Sequence, residues 1–420
     1  MLERWIYQVR SEKQSYLFIL WNLIKNERRI KMDSDFHKII EEFHFHIDHR
    51  HEYAKSLKRK GKLLAGYMCT HIPEEILYAG GIIPLRILSS HDSQALTRSY
   101  MHETYCSFSH DCAYEGLSQN YDYLDLIVMG TTCLHMSEAF NVWVRFGGFK
   151  ERSFLILFPH IMETKQGSKF LLNSFGEFKK FLEDFKKNFI SDYEIEDAIK
   201  VYNQTRRLIR KLWQFLKDNS SIIRGADLAA ITLASQLMDK REFNEMLGKL
   251  IDGLKCQDKG KSLGVRLMVS GGACDDIRIF ELIESLNYKV DLIFIDSCTV
   301  GRYFWFEVLE DQSDKLRVLS EGYLDRIPCP SKDNILGTGE KKRFRFIQEF
   351  IEDFRPDGIV FLYQRFCSPQ PHDIVALKPI LNRLGIPYIE LELDTTIPIN
   401  QFKNRLEAFV ETIKGVELVE

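Results

Sequence analysis

Short apolar runs of four to six residues recur along this chain, and they constrain its fold more than any other feature. They are Leu126–Met129, Phe154–Phe158, Val265–Val269, Leu292–Ile295, Ile359–Tyr363 and Tyr388–Leu393, with Leu63–Tyr67 a weaker member of the set. Longer amphipathic segments, long enough for crossover helices, separate them. Strands buried on both faces of a parallel sheet read this way. The pattern predicts an α/β protein.

Between the second and third runs lies a stretch without strand signal. Phe170–Leu216 and Ala226–Leu254 carry Phe, Leu and Lys at helical spacing, with Gly225 as a break between them. The boundary is placed there, giving an N-terminal α/β domain with a helical segment over 35–224 and a C-terminal α/β domain over 225–420. Asp258–Ser262 reads as the polar loop into the second domain, and 328–339 as another loop of Pro, Ser, Asp and Gly. The matching grammar of the halves fits a distant duplication. Residues 1–34 read as an appendage. Residues 1–31 hold seven Lys/Arg against three Glu, and Met32-Asp33-Ser34-Asp35 looks like a fresh start. The appendage is either an amphipathic helix or the product of an upstream start codon. A helix through Phe36, Ile39, Ile40, Phe43 and Ile47 follows, with Ser34 or Asp35 as its cap.

Composition narrows the function classes. The chain has 420 residues, 45% hydrophobic and 28% charged, with a formal charge of 57 − 60 = −3. That is a globular mixture, and it does not suggest a general surface for nucleic acid. No apolar run reaches the roughly 18 residues of a membrane span. Tyr16–Ile24, the longest run near the start, is followed by Lys and Arg rather than preceded by them, unlike a secretory signal. A cytoplasmic protein is expected, in which the nine cysteines stay reduced.

The positions of those cysteines are informative. Cys133 follows the run Leu126–Met129 by four residues, Cys298 follows Leu292–Ile295 by three, and Cys367 follows Ile359–Tyr363 by four. Cys274 follows Val265–Val269 by five, and Cys69 lies just beyond Leu63–Tyr67. Parallel sheets bind ligands beyond the carboxyl ends of their strands. A free cysteine taken singly is more often a small core hydrophobe. These lie in polar turns past the apolar runs, so a shared metal or redox site is favoured for the set.

No C-x-x-C occurs, and the closest pair is Cys106 and Cys112, which disfavours structural zinc and a thioredoxin-like dithiol. Thiolates gathered from several loops suit an iron–sulfur cluster. Gly260-Lys261-Ser262 resembles the end of a P-loop, but Lys255 stands where its first Gly belongs, and the segment precedes a strand. No G-x-G-x-x-G follows a strand. His44, His46, His49 and His51 read as solvated positions on a charged helix.

Several ordered motifs carry a family resemblance. Gly66-Tyr67-Met68-Cys69-Thr70, Pro73-Glu74-Glu75 and Ile83-Pro84-Leu85-Arg86 open it. Tyr105–Asp111, Tyr121–Asp125, Cys133-Leu134-His135, Leu233–Lys240, Cys298–Trp305, Tyr323–Arg326, Pro328-Cys329-Pro330, Arg365–Pro369, Glu390–Asp394 and Arg405–Phe409 continue it. Over about residues 36–412 the chain resembles the 2-hydroxyacyl-CoA dehydratase and benzoyl-CoA reductase superfamily. It looks most like the cluster-bearing subunits of ATP-dependent benzoyl-CoA reductases and the double-cubane cluster proteins. The resemblance implies two Rossmann-like, flavodoxin-like domains with extra helices and a cluster between them. It implies a 4Fe–4S cluster on Cys69, Cys133 and Cys367. The reductase-like branch has further cysteines matching Cys106, Cys298 and Cys329, and in double-cubane proteins six cysteines hold an 8Fe–9S cluster, so the resemblance implies either a single or a double cubane. Cys112, Cys256 and Cys274 match no ligand position.

The resemblance further implies an oxidoreductase in anaerobic metabolism, with a lyase of the dehydratase type as the alternative. A non-catalytic cluster-binding paralogue is the third reading. The implied partners are an ATP-hydrolysing iron–sulfur activator, a second copy or related subunit, and an acyl-CoA or other small-molecule substrate. Arg302 is a candidate for a cluster charge, an acyl-CoA phosphate or a surface carboxylate. Glu74, Glu75 and His135 are candidates for acid–base or structural roles, and N–H groups of Gly130–Thr132 and Gly271–Gly272 for hydrogen bonds to a cluster. Ser137-Glu138, Asn400 and Lys403-Asn404 depart from the reductase-like pattern, which leaves substrate and partner contacts open.

Overall fold

A computed structural model describes residues 34–89, 91, 96–161, 164–219, 222–255, 264–333, 341–394 and 398–415. The appendage, Cys256, the Asp258–Ser262 loop and the second half of the 328–339 loop lie outside the described residues, as do the side chains of Ser34 and Asp35.

Two four-stranded parallel sheets carry the fold. The first contains β1 (Leu63–Tyr67), β2 (Ile82–Arg86), β3 (Leu126–Gly130) and β4 (Ser153–Ile156) in the order β2-β1-β3-β4. The second contains β5 (Val265–Gly271), β6 (Val290–Asp296), β7 (Gly358–Gln364) and β8 (Tyr388–Leu393) in the order β6-β5-β7-β8. Both are the same flavodoxin-like winding, second strand outside the first, with a switch point between the first and third strands. The apolar runs are these strands. β2 is the addition that apolar patterning leaves out, because Pro84 interrupts it. As an edge strand it tolerates a residue without an N–H.

Each sheet is covered on both faces. In β3, Leu126 and Val128 pack with α6 (Lys165–Lys186), while Ile127 and Met129 pack with α4 (Ser107–Leu117) and α5 (Leu134–Phe146). That alternation is the two-residue period of a strand. α7 (Asp192–Asp218), about 40 Å long by helical rise, joins the two cores. Its Ile195 and Ile199 belong to the core of the first sheet, and its Ile209, Trp213 and Leu216 to that of the second. A capping box at Ser191 and Glu194 starts it. The chain also crosses between cores elsewhere. Phe306, Val318 and Tyr323 join the first core, and Phe36, Ile40 and Phe43 of α1 (Ser34–Asp48) join the second.

Of the four helical histidines, His49 is exposed as expected and the other three are not. His46 is buried, His44 pairs with Asp227 at 3.1 Å, and His51, on α2 (Arg50–Arg59), meets the Tyr123 hydroxyl at 3.0 Å. Both helices pack inward, so their charged faces are only partly exposed.

The carboxyl ends of the two sheets face one another. Ser89, past β2, donates to Asp275, past β5, through N at 2.7 Å and Oγ at 2.6 Å. Ser107 donates to Asp394, past β8, at 2.8 Å, and Ser331 to the Thr132 carbonyl, past β3, at 2.9 Å. The cleft so formed is where both sheets place their loop residues.

Candidate metal centre

Six cysteines open onto this cleft. Cys69 follows β1 and precedes α3 (Glu74–Ala79), and Cys133 caps α5 directly after β3. These are the two strands at the first switch point. Cys106 caps α4. From the second half, Cys298 lies between β6 and α11 (Gly301–Phe304), and Cys367 between β7 and α14 (Pro369–Leu384). Cys329 lies in the loop after α12 (Lys315–Asp325). Cys106 is buried and the other five are partly exposed.

The thiols act on one another. Burial and the neighbouring Cys329 and Cys298 push the Cys69 thiol up, against a hydrogen bond with Thr132 Oγ1 at 3.0 Å. Burial and Cys106 raise Cys133 well above the ordinary thiol value. Burial, Cys106, Cys329 and Cys298 bring Cys367 to about 12. Cys329 Sγ lies 3.2 Å from Ser331 Oγ, whose donation to Thr132 links the Cys69 and Cys329 loops. Six mutually repelling sulfurs are stable together only as neutral thiols or around a cationic group.

The remaining cysteines differ. Cys112 is fully buried in the α4 core, where its carbonyl accepts from Trp143 Nε1 at 2.7 Å. Cys274 is also buried and is held by Thr299, which donates to its carbonyl at 2.5 Å. It neighbours Cys298.

A family model described as "2-hydroxyglutaryl-CoA dehydratase, D-component" matches residues 69–413, beginning at Cys69. The chain belongs to this dehydratase D-component family. The beta subunit of (R)-2-hydroxyglutaryl-CoA dehydratase of Acidaminococcus fermentans is 24% identical over 365 residues, which is 85% of this chain and 94% of the relative. The (R)-phenyllactyl-CoA dehydratase beta subunit of Clostridium sporogenes is 24% identical over 363 residues, 86% and 94% respectively. A benzoyl-CoA reductase subunit of Thauera aromatica is 21% identical over 353 residues, 83% and 90%. The superfamily resemblance read from the motifs is therefore correct. Among the described residues no helix is long and apolar enough to cross a membrane.

The family raises the question of a cluster, and the donor set answers to it. Among the described residues no three His, Cys, Asp or Glu side chains lie close enough to hold one metal ion. The relevant fit is to a group large enough to touch thiols from several loops. Arg86, Arg302 and Arg326 surround the cleft, each buried and each with a guanidinium nitrogen lacking a hydrogen-bond partner among the described residues; His71 Nε2 lacks one as well. Buried donors without acceptors call for an acceptor-rich, anionic occupant. A thiolate-ligated cluster with sulfide acceptors meets both needs, so the residues fit it.

The cationic frame is what motif reading missed. Arg86 and Arg326 lie in recognisable motifs, but nothing in the spacing marks them as buried. Arg302 does not pair with a surface carboxylate, because its partner Asp296 is itself buried. It is buried, with Nε 3.2 Å from Asp296 and a hydrogen bond to the Gly271 carbonyl. Lys332 borders Cys69, Cys329 and Cys133. The backbone N–H groups named as donors are otherwise engaged: Thr131 with Ile156, Thr132 with Gly130 and Gly272 with Leu362. Glu75 is fully buried, paired with Arg206 and accepting from Tyr323 Oη at 2.9 Å, a structural role. His135 Nδ1 accepts from the Cys106 N–H at 3.1 Å, and burial lowers its pKa, so it is neutral and positions Cys106.

Proposed function

We propose that this chain is the cluster-bearing component of an ATP-dependent low-potential reductase system of the benzoyl-CoA reductase or double-cubane type. The observation that carries this is the convergence of Cys69, Cys106, Cys133, Cys298, Cys329 and Cys367 on one cleft, three from each half of the chain. These six would hold an iron–sulfur group. When bound, such a group supplies one-electron chemistry at low potential. The protein's own contribution is positional and electrostatic. Arg86 and Arg326 favour negative charge on the sulfurs they border, and Lys332 does the same from the Cys329 loop. The N-termini of α4 and α5 point partial positive charge at Cys106 and Cys133. Electrons would come from a partner ATPase carrying its own cluster, and the chain would pair with a copy or a related subunit. An acyl-CoA fits the names of the relatives.

The second reading is a dehydratase subunit, a lyase, favoured by the beta-subunit names of two relatives at 24% identity. Iron and sulfide analysis of anaerobically purified protein tests both. About eight irons per chain supports the double cubane, and about four a single cubane. Iron that survives in C106A, C298A and C329A but not in C69A, C133A or C367A moves the assignment to the dehydratase. A colourless, iron-free protein from anaerobic cells refutes both.

A further inference from the structure

Behind the cleft lies a second cluster of ionisable groups to which the proposed function gives no role. Glu74, at the start of α3, and Lys240, at the start of α9 (Lys240–Leu254), are 2% and 1% exposed, with Oε2 and Nζ 3.5 Å apart. Lys240 also donates to the Ser235 carbonyl, and its Nζ lies over the rings of Tyr202 at 5.1 Å and Tyr303 at 5.5 Å. Tyr303 Oη donates to Glu74 Oε2 at 3.2 Å.

The remaining charged and titratable neighbours are accounted for. From β1, the buried Tyr67 hydroxyl faces Glu74 and lacks a well-formed hydrogen bond among the described residues. On α3 itself, Glu75 is committed to Arg206 of α7 and Tyr323 of α12. Tyr202 of α7 adds a ring, and Asp239 adds a carboxylate beside Lys240. One acid and one base are thus left facing each other in the buried interior, with the Tyr303 hydroxyl on the acid and its ring beneath the base.

Location ties this pair to the cleft. Tyr67 lies two residues before Cys69, and Tyr303 five residues after Cys298. Among the described residues, no hydrogen bond joins Glu74 to a cysteine. Arg86, which borders Cys298 and Cys69, also faces Tyr67, so the neighbour of Glu74 lies beside the cation of the cleft. An isolated buried ion pair holds both its charges at considerable desolvation cost. Burial raises Glu74 and lowers Lys240, so their proton affinities move toward each other. A negative charge added in the cleft acts on this pair through a low-dielectric medium, where Coulomb interactions carry far.

We propose that the Glu74–Lys240 pair is a redox-linked proton-loading site, which takes one solvent proton onto the Glu74 carboxylate for each electron entering the thiol cleft. The proposal rests on the reading that the cleft holds a redox centre. The balance is simple: one electron from a low-potential one-electron donor and one proton from water are taken up together. The only bond formed is O–H at Glu74, with Lys240 remaining an ammonium and Tyr303 donating to the other carboxylate lone pairs. Electron entry then leaves the net charge of the site unchanged.

The test is an anaerobic redox titration of the full-length, iron-loaded protein between about pH 6 and about pH 9, with dithionite as reductant. A one-proton, one-electron step lowers the midpoint potential by about 59 mV per pH unit. E74Q, which keeps size and hydrogen bonding, is expected to hold its iron and show a flat profile. Y303F, lacking one hydroxyl, is expected to shift the pH at which the slope begins. Iron-loaded wild-type protein with a pH-independent potential overturns this inference alone. So does E74Q that keeps the slope or, where E74Q loses iron, Y303F with an unshifted profile. Wild-type protein without iron overturns the proposed function and this inference together.

Discussion

Arg86 and Cys298, 212 positions apart, meet across the cleft: Nη1 donates to the Cys298 carbonyl at 3.0 Å and Nη2 lies 3.8 Å from its sulfur. Arg86 also donates to Gln236 Oε1 at 2.6 Å, and its backbone N–H to the Gln236 carbonyl at 2.9 Å. One buried guanidinium thus ties the end of β2 to the connecting helices and to the second half. Burial opposes its charge, but Cys298, Tyr67 and Cys69 hold it on. R86Q is expected to lose about 2–3 kcal/mol of unfolding free energy, the scale of hydrogen bonds to a charged group. In iron-loaded protein it should lower the midpoint potential, since a positive charge beside the sulfurs is gone. Urea denaturation and a redox titration read the two effects separately; R86Q with unchanged stability and potential would contradict the assignment.

Cys112 provides the contrast with the six cleft cysteines. It is fully enclosed by the α4 core, where three carboxylates, Asp275, Asp111 and Glu115, outweigh the single cation Arg86. C112A is expected to retain the wild-type iron content and to cost about 1–2 kcal/mol for the lost sulfur packing. C112S should cost more than C112A, because the hydroxyl is polar and enclosed. Iron content by colorimetry, beside thermal unfolding, checks both; loss of iron in C112A would move this residue into the site.

The strands were legible because parallel strands buried on both faces leave apolar runs with little else to mean. β2 was not, because Pro84 breaks the run and only its edge position in the folded sheet makes it tolerable. The positions of Cys133, Cys298 and Cys367 at strand ends needed only local sequence. Their convergence was not local: it depends on α7 spanning both cores and on pairs such as Ser107–Asp394. The arginine frame was hidden for a related reason. Arg86 looks like a surface residue until Gln236 and Cys298 of the second half meet it, and Arg326 until it reaches the Thr70 carbonyl of the first; Arg302 is enclosed by Asp296 and Gly271 of its own half. Similar packing turned His44 and His51 from solvated positions into partners of Asp227 and Tyr123, while His49 stayed exposed.

His51 gives the protein a defined acid sensitivity. Burial, aided by the adjacent Arg50 charge, lowers its pKa from 6.5 to about 4, and its ring rests edge-on to Tyr121 at 4.7 Å. The folded chain therefore keeps it neutral where the unfolded chain protonates it. Between about pH 6.5 and about pH 4 the unfolded state binds more protons, so stability is full above that window and declines on acidification. For this partly buried ring the decline is on the order of 1–3 kcal/mol. H51Q, which keeps a partner for Tyr123, should remove one proton from the pH dependence while other buried histidines retain theirs. Urea midpoints measured across the window would show a shallower acid slope in H51Q, and an unchanged slope would count against the shift.

Two glycines separate close approach from spare helix length. A Cβ on Gly271, the last residue of β5, would collide with the Leu362 carbonyl oxygen of β7, and backbone cannot move aside without opening the ladder that leads to Cys367. G271A is expected to cost more than about 3 kcal/mol, in the range reserved for overpacked interiors. Gly248 lies within α9 with nothing inside 4 Å of its would-be Cβ. G248A should therefore stabilise the protein by about 0.5–1 kcal/mol, the helical advantage of Ala over Gly. The two substitutions add the same methyl group, so opposite signs in a denaturation series would tie the effect to the β5–β7 contact rather than to side-chain size.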